Sequence, residues 1–429
     1  MSFVSGLAPG LSAWRTAVVI PFISTSFPQV PAALAAEPLS LAEAEAIAVD
    51  AEPGREALVA RADAMLQSAE AAGALPEPEV RVGLNNYPIE SGGFSTEGMT
   101  SASLGIRQAF PPGASRRLET EQLEWQATAT RETAFARDGH VLSATRAAWL
   151  DVYYWQEAAM QVRSTRPFFE DLVATTESLY SVGRNTQQDV LRAELELSRL
   201  DDRLIDIERH EAVARARLRE WIGSAAGRPL VAELPAWNAV PVIDDLLARL
   251  EDHPELRAAD ADLEASRSAV ALASERKKPG WMLDVGYAYR EGQLASGDPR
   301  SDFVTIGVTV GLPFTRGDSI DARLSAALDE RTAAEFDRER RRRSLESLLF
   351  AEHARFNELT RRLELFDARI LGQVRAHALA ALDAYRSDTA DFADVMRAYI
   401  DDLDTRTEYL RLSVERASSY AALAYLGGL

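Results

Sequence analysis

The sequence contains no cysteine, and this and other scarcities exclude several classes of protein. Without cysteine there are no disulfides, iron–sulfur clusters, thiolate zinc sites or cysteine nucleophiles. Basic side chains are also in deficit: 47 stand against 66 acidic ones, for a formal charge of −19. Because a protein that binds the phosphate backbone needs a basic face, we expect no nucleic-acid partner. After residue 36 no run approaches 18 consecutive apolar residues, so no transmembrane helix is predicted.

Catalytic and cofactor-binding patterns are missing as well. No Ser-His-Asp arrangement, phosphate-binding loop or dinucleotide fingerprint occurs. The histidines have no partner at metal-ligand spacing. We therefore expect a protein that is not an enzyme, with no cofactor and no metal site of its own. The five histidines are His140, His210, His253, His353 and His377.

The first 36 residues have the layout of a secretory signal. Arg15 is their one charged residue, and an apolar stretch follows it over residues 16–27. Small residues then recur with A-x-A spacing at Ala33 and Ala35. We predict that residues 1–36 are a signal peptide and that the protein is exported. A disordered or interfacial tail is the alternative.

Self-comparison shows an internal repeat. Val82-Gly83 recurs as Val285-Gly286, and the segment 221–223 recurs at 425–427, in both cases about 200 residues later. Six such matches occur in the same order with nearly the same offset. The sequence therefore predicts two copies of one unit, over residues 37–228 and 242–429, joined by a proline-rich linker at 229–241.

Each copy contains two short segments in which apolar and small or polar residues alternate. These segments, 79–87 and 101–110 in the first copy and 281–290 and 303–312 in the second, are predicted strands joined as hairpins. Each is about 9–10 residues long, which is enough for a tilted strand to cross a bilayer. The opposite face is small and polar, as in the lumen of a barrel. A soluble hairpin packed on helices is the alternative. The predicted lipid-facing residues are Val80, Val82, Leu84, Leu104, Ile106, Leu283, Val285, Tyr287, Val304, Ile306, Val308 and Val310.

Long helices fill the rest of each copy. Mostly apolar residues follow a 3-4 spacing from Val190 to Trp221, with Glu211 at one position of the seam. Similar seams run through the second copy. The predicted long helices cover residues 115–180, 186–222, 319–385 and 389–426. The longest would reach on the order of 100 Å. The predicted fold class is mostly α with a small β part, built on long antiparallel coiled-coil helices.

These features together resemble the TolC family of outer-membrane efflux proteins. The resemblance is carried by the doubled strand-hairpin unit, by the strand exits at 108–113 and 311–314, and by the helical tip at 180–184 followed by 189–193. Residues 76–88 resemble the branch of the family that exports cations and heavy metals.

The resemblance implies a homotrimer in which each protomer gives four transmembrane strands to one 12-stranded barrel, continued by an α-helical tunnel. It also implies a passive exit duct for metal cations or small toxic compounds. The duct would lie in the outer membrane of a Gram-negative bacterium, with its tunnel in the periplasm. Its partners would be outer-membrane lipid, a periplasmic adaptor (membrane fusion) protein and an inner-membrane transporter of the resistance-nodulation-division type.

The resemblance also assigns roles to residues at the two helical tips. Adaptor docking falls to Val182, Gly183 and Arg184 at the first tip, and to Arg386 and Ser387 at the second. The second turn lacks the glycine of the motif. Asp394 matches the aspartate that lines the closed pore entrance. Arg397 stands where a second pore aspartate is expected, so Asp391 and Asp388 are candidate substitutes. Helix capping or simple solvation of these carboxylates is the alternative.

Two other functions fit the same pattern. One is the outer-membrane duct of a type I protein secretion system. The other is a periplasmic coiled-coil scaffold whose hairpins never enter lipid.

Overall fold

The computed structural model describes residues 37–312, 317–387 and 389–428. Helices dominate this part of the chain, together with one four-stranded antiparallel sheet, which confirms the predicted fold class at that level. The predicted signal peptide lies outside the described residues. The helices are α1 (Leu41–Asp50), α2 (Pro53–Gly73), α3 (Ser115–Ser181), α4 (Gln187–Ile222), α5 (Ile243–Leu250), α6 (Pro254–Glu275), α7 (Gly317–Leu365), α8 (Leu371–Arg386) and α9 (Phe392–Gly427).

The sheet consists of β1 (Glu79–Asn85), β2 (Ser101–Phe110), β3 (Trp281–Tyr289) and β4 (Phe303–Val310), in that order. Each predicted hairpin forms, and β2 pairs with β3 to join the two copies of the repeat. β1 ends two residues earlier than predicted, because Asn86 adopts a left-handed backbone conformation with φ 52°.

Several of the other helices pack against α3. The first half of α3 packs against α2, where Arg131 pairs with Asp63, and against α6, where Arg257 pairs with Glu132. The second half of α3 packs on α4 and α9. Pro167 lies inside α3, yet the helix runs on through it to Ser181.

The second copy departs from the prediction in one place. The sequence predicts one uninterrupted helix over 319–385, but a π-helical turn at Phe366–Ile370 separates α7 from α8. A π turn contains one more residue than an α turn and therefore changes which side chains face a neighbour. Phe366 packs beside Leu363 in a small cluster with α9, whereas Ala378 on α8 joins the main core. The π turn thus changes which face of the helix is buried, so that α7 packs in the small cluster and α8 packs on the main core.

The main core lies where α1, α3, α4 and α9 meet, around the fully buried Trp149, Phe169 and Leu403. The linker at 229–241 is tied to this core. Leu39 N–H donates to the Pro229 carbonyl at 2.8 Å, and Val231 N–H donates to the Leu39 carbonyl at 3.3 Å. The start of the described chain therefore pairs with the linker.

Candidate functional site

One face of the sheet is apolar across all four strands. The register aligns Val80, Ile106, Val285 and Ile306 in one row. The next row contains Val82, Leu104, Tyr287 and Val304 in the same way. Val82 is 81% exposed and Val304 is 71% exposed, so this face is not covered by the chain's own helices. Of the twelve predicted lipid-facing residues, Leu283 alone is partly buried, and the structure places all of them on this face.

The opposite face of the sheet is small and polar. Gly105, Gly286 and Thr305 form one row across β2, β3 and β4, and a shallow cavity of about 280 Å³ lies over these residues. The charged side chains of this face lie at the end of the sheet that is nearer to the helices. Arg107 Nε donates to Asp284 Oδ1 at 2.8 Å, and Arg81 Nη1 lies 3.4 Å from the same oxygen.

The first helical tip joins α3 to α4. Gly183 adopts φ 73°, and its N–H donates to the Tyr180 carbonyl at 2.9 Å. Such a left-handed residue closes a helix C-terminus at little cost only when it is glycine. Thr186 begins α4 in a capping box with Asp189. Val182 and Arg184 are exposed in the turn, and their role in adaptor docking stays a prediction.

The second tip joins α8 to α9 without a glycine. Ser387 donates its N–H and its hydroxyl to the Asp383 carbonyl, at 3.0 and 2.7 Å. Thr389 does the same to the Ala384 carbonyl, with both distances 2.9 Å. These hydroxyls satisfy the carbonyls that end α8, which is the task a glycine turn performs at the first tip. Arg386 and Ser387 are exposed.

The two tips touch. Asn185 Nδ2 donates to the hydroxyl of Tyr385 at 3.1 Å, and the ring of Tyr385 packs edge-on against the buried Phe392. Tyr385 is the residue of the second copy that corresponds to Tyr180 in the first. Nothing in the sequence indicated that Tyr385 contacts Asn185.

The predicted entrance carboxylates lie at the start of α9. Asp394 is exposed in the first turn, and its Oδ1 is 3.2 Å from Nη1 of Arg397, so the residue that replaces the expected second aspartate partly offsets the first. Asp391 is the exposed N-cap residue of α9, but its side chain makes no capping bond. Asp388 lies outside the described residues. The pore-lining role of these carboxylates therefore stays a prediction.

A buried carboxylate with two partly exposed arginine partners lies near the π turn and was not predicted from the sequence. Asp402 on α9 is 1% exposed, and Arg375 of α8 and Arg406 of α9 both reach its Oδ2. A cavity of about 380 Å³ lies beside this cluster, lined also by Gln161 and Tyr409. Asp402 lies one residue before Leu403 of the apolar seam. The only available signal in the sequence was the acidic run of residues 401, 402 and 404 around this leucine.

Neither metal sites nor helical membrane spans occur in the described part of the chain. Over residues 37–312, 317–387 and 389–428, no group of three His, Asp or Glu side chains could hold a metal ion. Within the same residues, no helix is both long and apolar enough to cross a membrane.

Comparisons with solved structures show that this fold is shared with outer-membrane channels. No protein-family model matches the sequence, and no curated protein matches it. The solved structure of the outer-membrane channel OprN is similar, with a TM-score of 0.75 and 19% identity over 91% of this chain and 90% of that one. The channel-forming protein CusC gives a TM-score of 0.77 with 15% identity over 90% and 92%.

The outer membrane protein VceC of Vibrio cholerae is also similar, with a TM-score of 0.74 and 16% identity over 90% of this chain and 96% of that one. The chain thus has the fold of these outer-membrane proteins over nearly its whole described length. The resemblance read from the sequence is confirmed at the level of the fold.

Proposed function

We propose that this protein is the outer-membrane exit duct of a tripartite efflux system in a Gram-negative bacterium. The observation that carries the proposal is the continuous exposed apolar face across all four strands. Water does not favour such a face, and its rows match the outward band of a transmembrane barrel. The small, polar opposite face suits a lumen. The long helices would then lie in the periplasm.

Four strands do not close a barrel, so the duct requires further copies. Within the described chain, β1 and β4 each pair on one side only, which leaves two open edges. The helices also expose apolar side chains: Phe336 and Phe350 on α7 are 71% and 52% exposed, and Ile205 on α4 is 67% exposed. A homotrimer pairs β4 of one copy with β1 of the next and gives 12 strands. It would cover these apolar side chains at the same time.

The partners follow from the same scheme. The tips at Val182–Arg184 and Arg386–Ser387 are the proposed docking points for a periplasmic adaptor, and Asp394 lies where the entrance would be. The adaptor would link the duct to an inner-membrane transporter of the resistance-nodulation-division type. The proposed cargo is metal cations or small toxic compounds. No catalysis is assigned to the duct itself.

The proposal is tested by two neighbouring substitutions on opposite faces of β4. Ile306→Arg places a charge on the apolar face, and Thr305→Arg places it on the polar face. An arginine in the lipid costs about 2–4 kcal/mol near the bilayer midplane, whereas the lumen tolerates it. We expect Ile306→Arg to be lost from the outer-membrane fraction and Thr305→Arg to remain there. Recovery of the unaltered protein in the soluble periplasmic fraction would contradict the proposal and favour the scaffold.

The cargo is tested separately with a deletion strain. Loss of tolerance to metal cations or to small toxic compounds supports efflux. Loss of an exported protein from the medium, with tolerance unchanged, would favour a type I secretion duct instead.

A further inference from the structure

The polar face of the sheet is not uniform along its length. Among the strand residues that the structure describes, its charged side chains are Glu79, Arg81, Arg107 and Asp284, and all four lie toward the helices. Farther along the strands the same face carries uncharged residues. Gly83, Ser103 and Ala288 are small, and Phe303 pairs with Ala288. If this face lines a lumen, the charges form one level at the base of the barrel.

The two arginines of this level differ in how firmly they are held. Arg107 is 28% exposed in its side chain and donates to Asp284 Oδ1 at 2.8 Å, a charge-assisted hydrogen bond of ordinary length. Arg81 is 61% exposed, and its Nη1 is 3.4 Å from the same oxygen, longer than a normal N–H···O bond. Arg107 is therefore hydrogen-bonded to Asp284, whereas the contact of Arg81 with Asp284 is weak.

The surroundings of Arg81 make its guanidinium accessible. In the register it shares a row with Gly105, Gly286 and Thr305, so no bulky neighbour on β2, β3 or β4 covers it. The shallow cavity over these residues includes Arg81 in its lining. A guanidinium with this exposure can bind a carboxylate or phosphate in the bidentate geometry that arginine favours.

We propose that Arg81 is a specificity-determining residue of the duct. Three copies would ring the lumen at the base of the barrel. Of the two kinds of cargo proposed above, this ring would favour small toxic compounds that carry a carboxylate or phosphate group over metal cations. This inference rests on the proposed function, since it requires the polar face to line the conduit. It assigns to the barrel a charge filter that is separate from the carboxylates at the helical entrance.

The test is the ion selectivity of the purified full-length protein in planar bilayers under a KCl gradient. In Arg81→Gln we expect the potassium-to-chloride permeability ratio to rise on the order of threefold, because three charges are removed at a distance on the order of 10 Å from the ions. Asp284→Asn should lower the ratio. Arg81→Lys, which keeps the charge, should leave it close to the unaltered value. With inorganic phosphate as the anion, Arg81→Gln should also reduce the phosphate-to-chloride permeability ratio.

Arg217→Gln is the matched control. Arg217 on α4 is 70% exposed and its Nη1 is 3.5 Å from Asp151 Oδ2, so it resembles Arg81 in exposure and pairing but lies outside the sheet. An equal shift in Arg217→Gln would mean that overall charge is responsible, which overturns the assignment to Arg81. A conducting pore whose selectivity and phosphate permeability Arg81→Gln leaves unchanged would also overturn it, with the duct intact. Failure of the unaltered protein to form any pore would instead refute the proposed function.

Discussion

The carboxylate of Asp402 lies 3.4 Å from Nη1 of Arg375, and this contact joins α9 to α8 just beyond the π turn. Arg406, one turn along α9, binds the same oxygen. The carboxylate is enclosed, with its side chain 2% exposed, but the two arginine side chains keep 55% and 38% of their surface in water. The buried carboxylate therefore needs its two arginine partners, whereas each arginine can be solvated by water without the carboxylate.

This asymmetry predicts unequal effects on stability. Arg375→Ala combined with Arg406→Ala leaves a buried carboxylate without its partners, and we expect a loss of about 3–5 kcal/mol in the free energy of unfolding. Asp402→Asn leaves arginines that can reach water, so its cost should be nearer to about 1–3 kcal/mol. Denaturant titration in detergent measures both. A larger loss in Asp402→Asn than in the double variant would contradict this account.

His253 predicts a dependence of stability on pH. It is 5% exposed, and its Nδ1 accepts the Glu255 N–H at 3.3 Å to cap α6. Burial lowers the pKa of His253 below 6.5; Glu255 opposes this effect, while Arg257 and Arg341 reinforce it. The unfolded chain therefore takes up a proton at a higher pH than the folded chain does. The contribution of His253 is complete above about pH 6.5 and declines as the pH falls below that value.

His253→Asn retains a capping acceptor and removes this titration. We expect thermal unfolding of the unaltered protein to shift downward between about pH 7.5 and pH 5 by more than that of His253→Asn. Identical shifts in the two proteins would show that other groups cause the pH dependence. The Tyr425 ring, which packs edge-on against the imidazole at 5.0 Å between centroids, is unaltered in this comparison.

The pair formed by Asp394 and Arg397 predicts opposite effects at the tunnel entrance. In a trimer, Asp394→Ala removes three negative charges and should lower the potassium-to-chloride permeability ratio, on the order of threefold. Arg397→Gln removes the cations 3.2 Å away and should raise the ratio. Bilayer recordings measure both, with Asp391→Asn showing whether the N-cap carboxylate contributes as well. Unaltered selectivity and conductance in Asp394→Ala would remove this residue from the entrance.

The first tip predicts a position-specific response to alanine. At Gly183, with φ 73°, an added Cβ is disfavoured by about 1 kcal/mol, so amide hydrogen exchange at Arg184 and Asn185 should accelerate on the order of fivefold. Gly372→Ala is the control. An added Cβ at Gly372 meets nothing within 4 Å on α8, and alanine should stabilise that helix. Equal effects of the two variants would show that the left-handed turn is not the cause.

The sheet shows most clearly which features could be predicted from the sequence alone. Alternation within each strand assigned the apolar and polar faces, because side-chain direction in a strand follows a period of two. The repeat indicated that two hairpins exist. Neither feature shows that β2 pairs with β3, since that depends on contacts between residues about 180 apart. Whether this face meets lipid stays a prediction.

The same division applies to the helices and their tips. The 3-4 spacing of mostly apolar residues predicted the long helices, and the turn glycine marked the first tip, because both signals are local. The π turn was not predicted, since the 3-4 spacing continues through it.

The sequence by itself therefore determined the repeat, from matches about 200 residues apart, and the element types and strand faces, from short-range periodicity. It also determined the position of the first tip, from the turn glycine. Tertiary structure alone decided which distant residues meet. It brought Arg81 to Asp284, Asn185 to Tyr385 and Arg375 to Asp402. The reason is physical, because a charge or hydroxyl on a regular helix or strand looks like any solvated residue until the packing of another element encloses it.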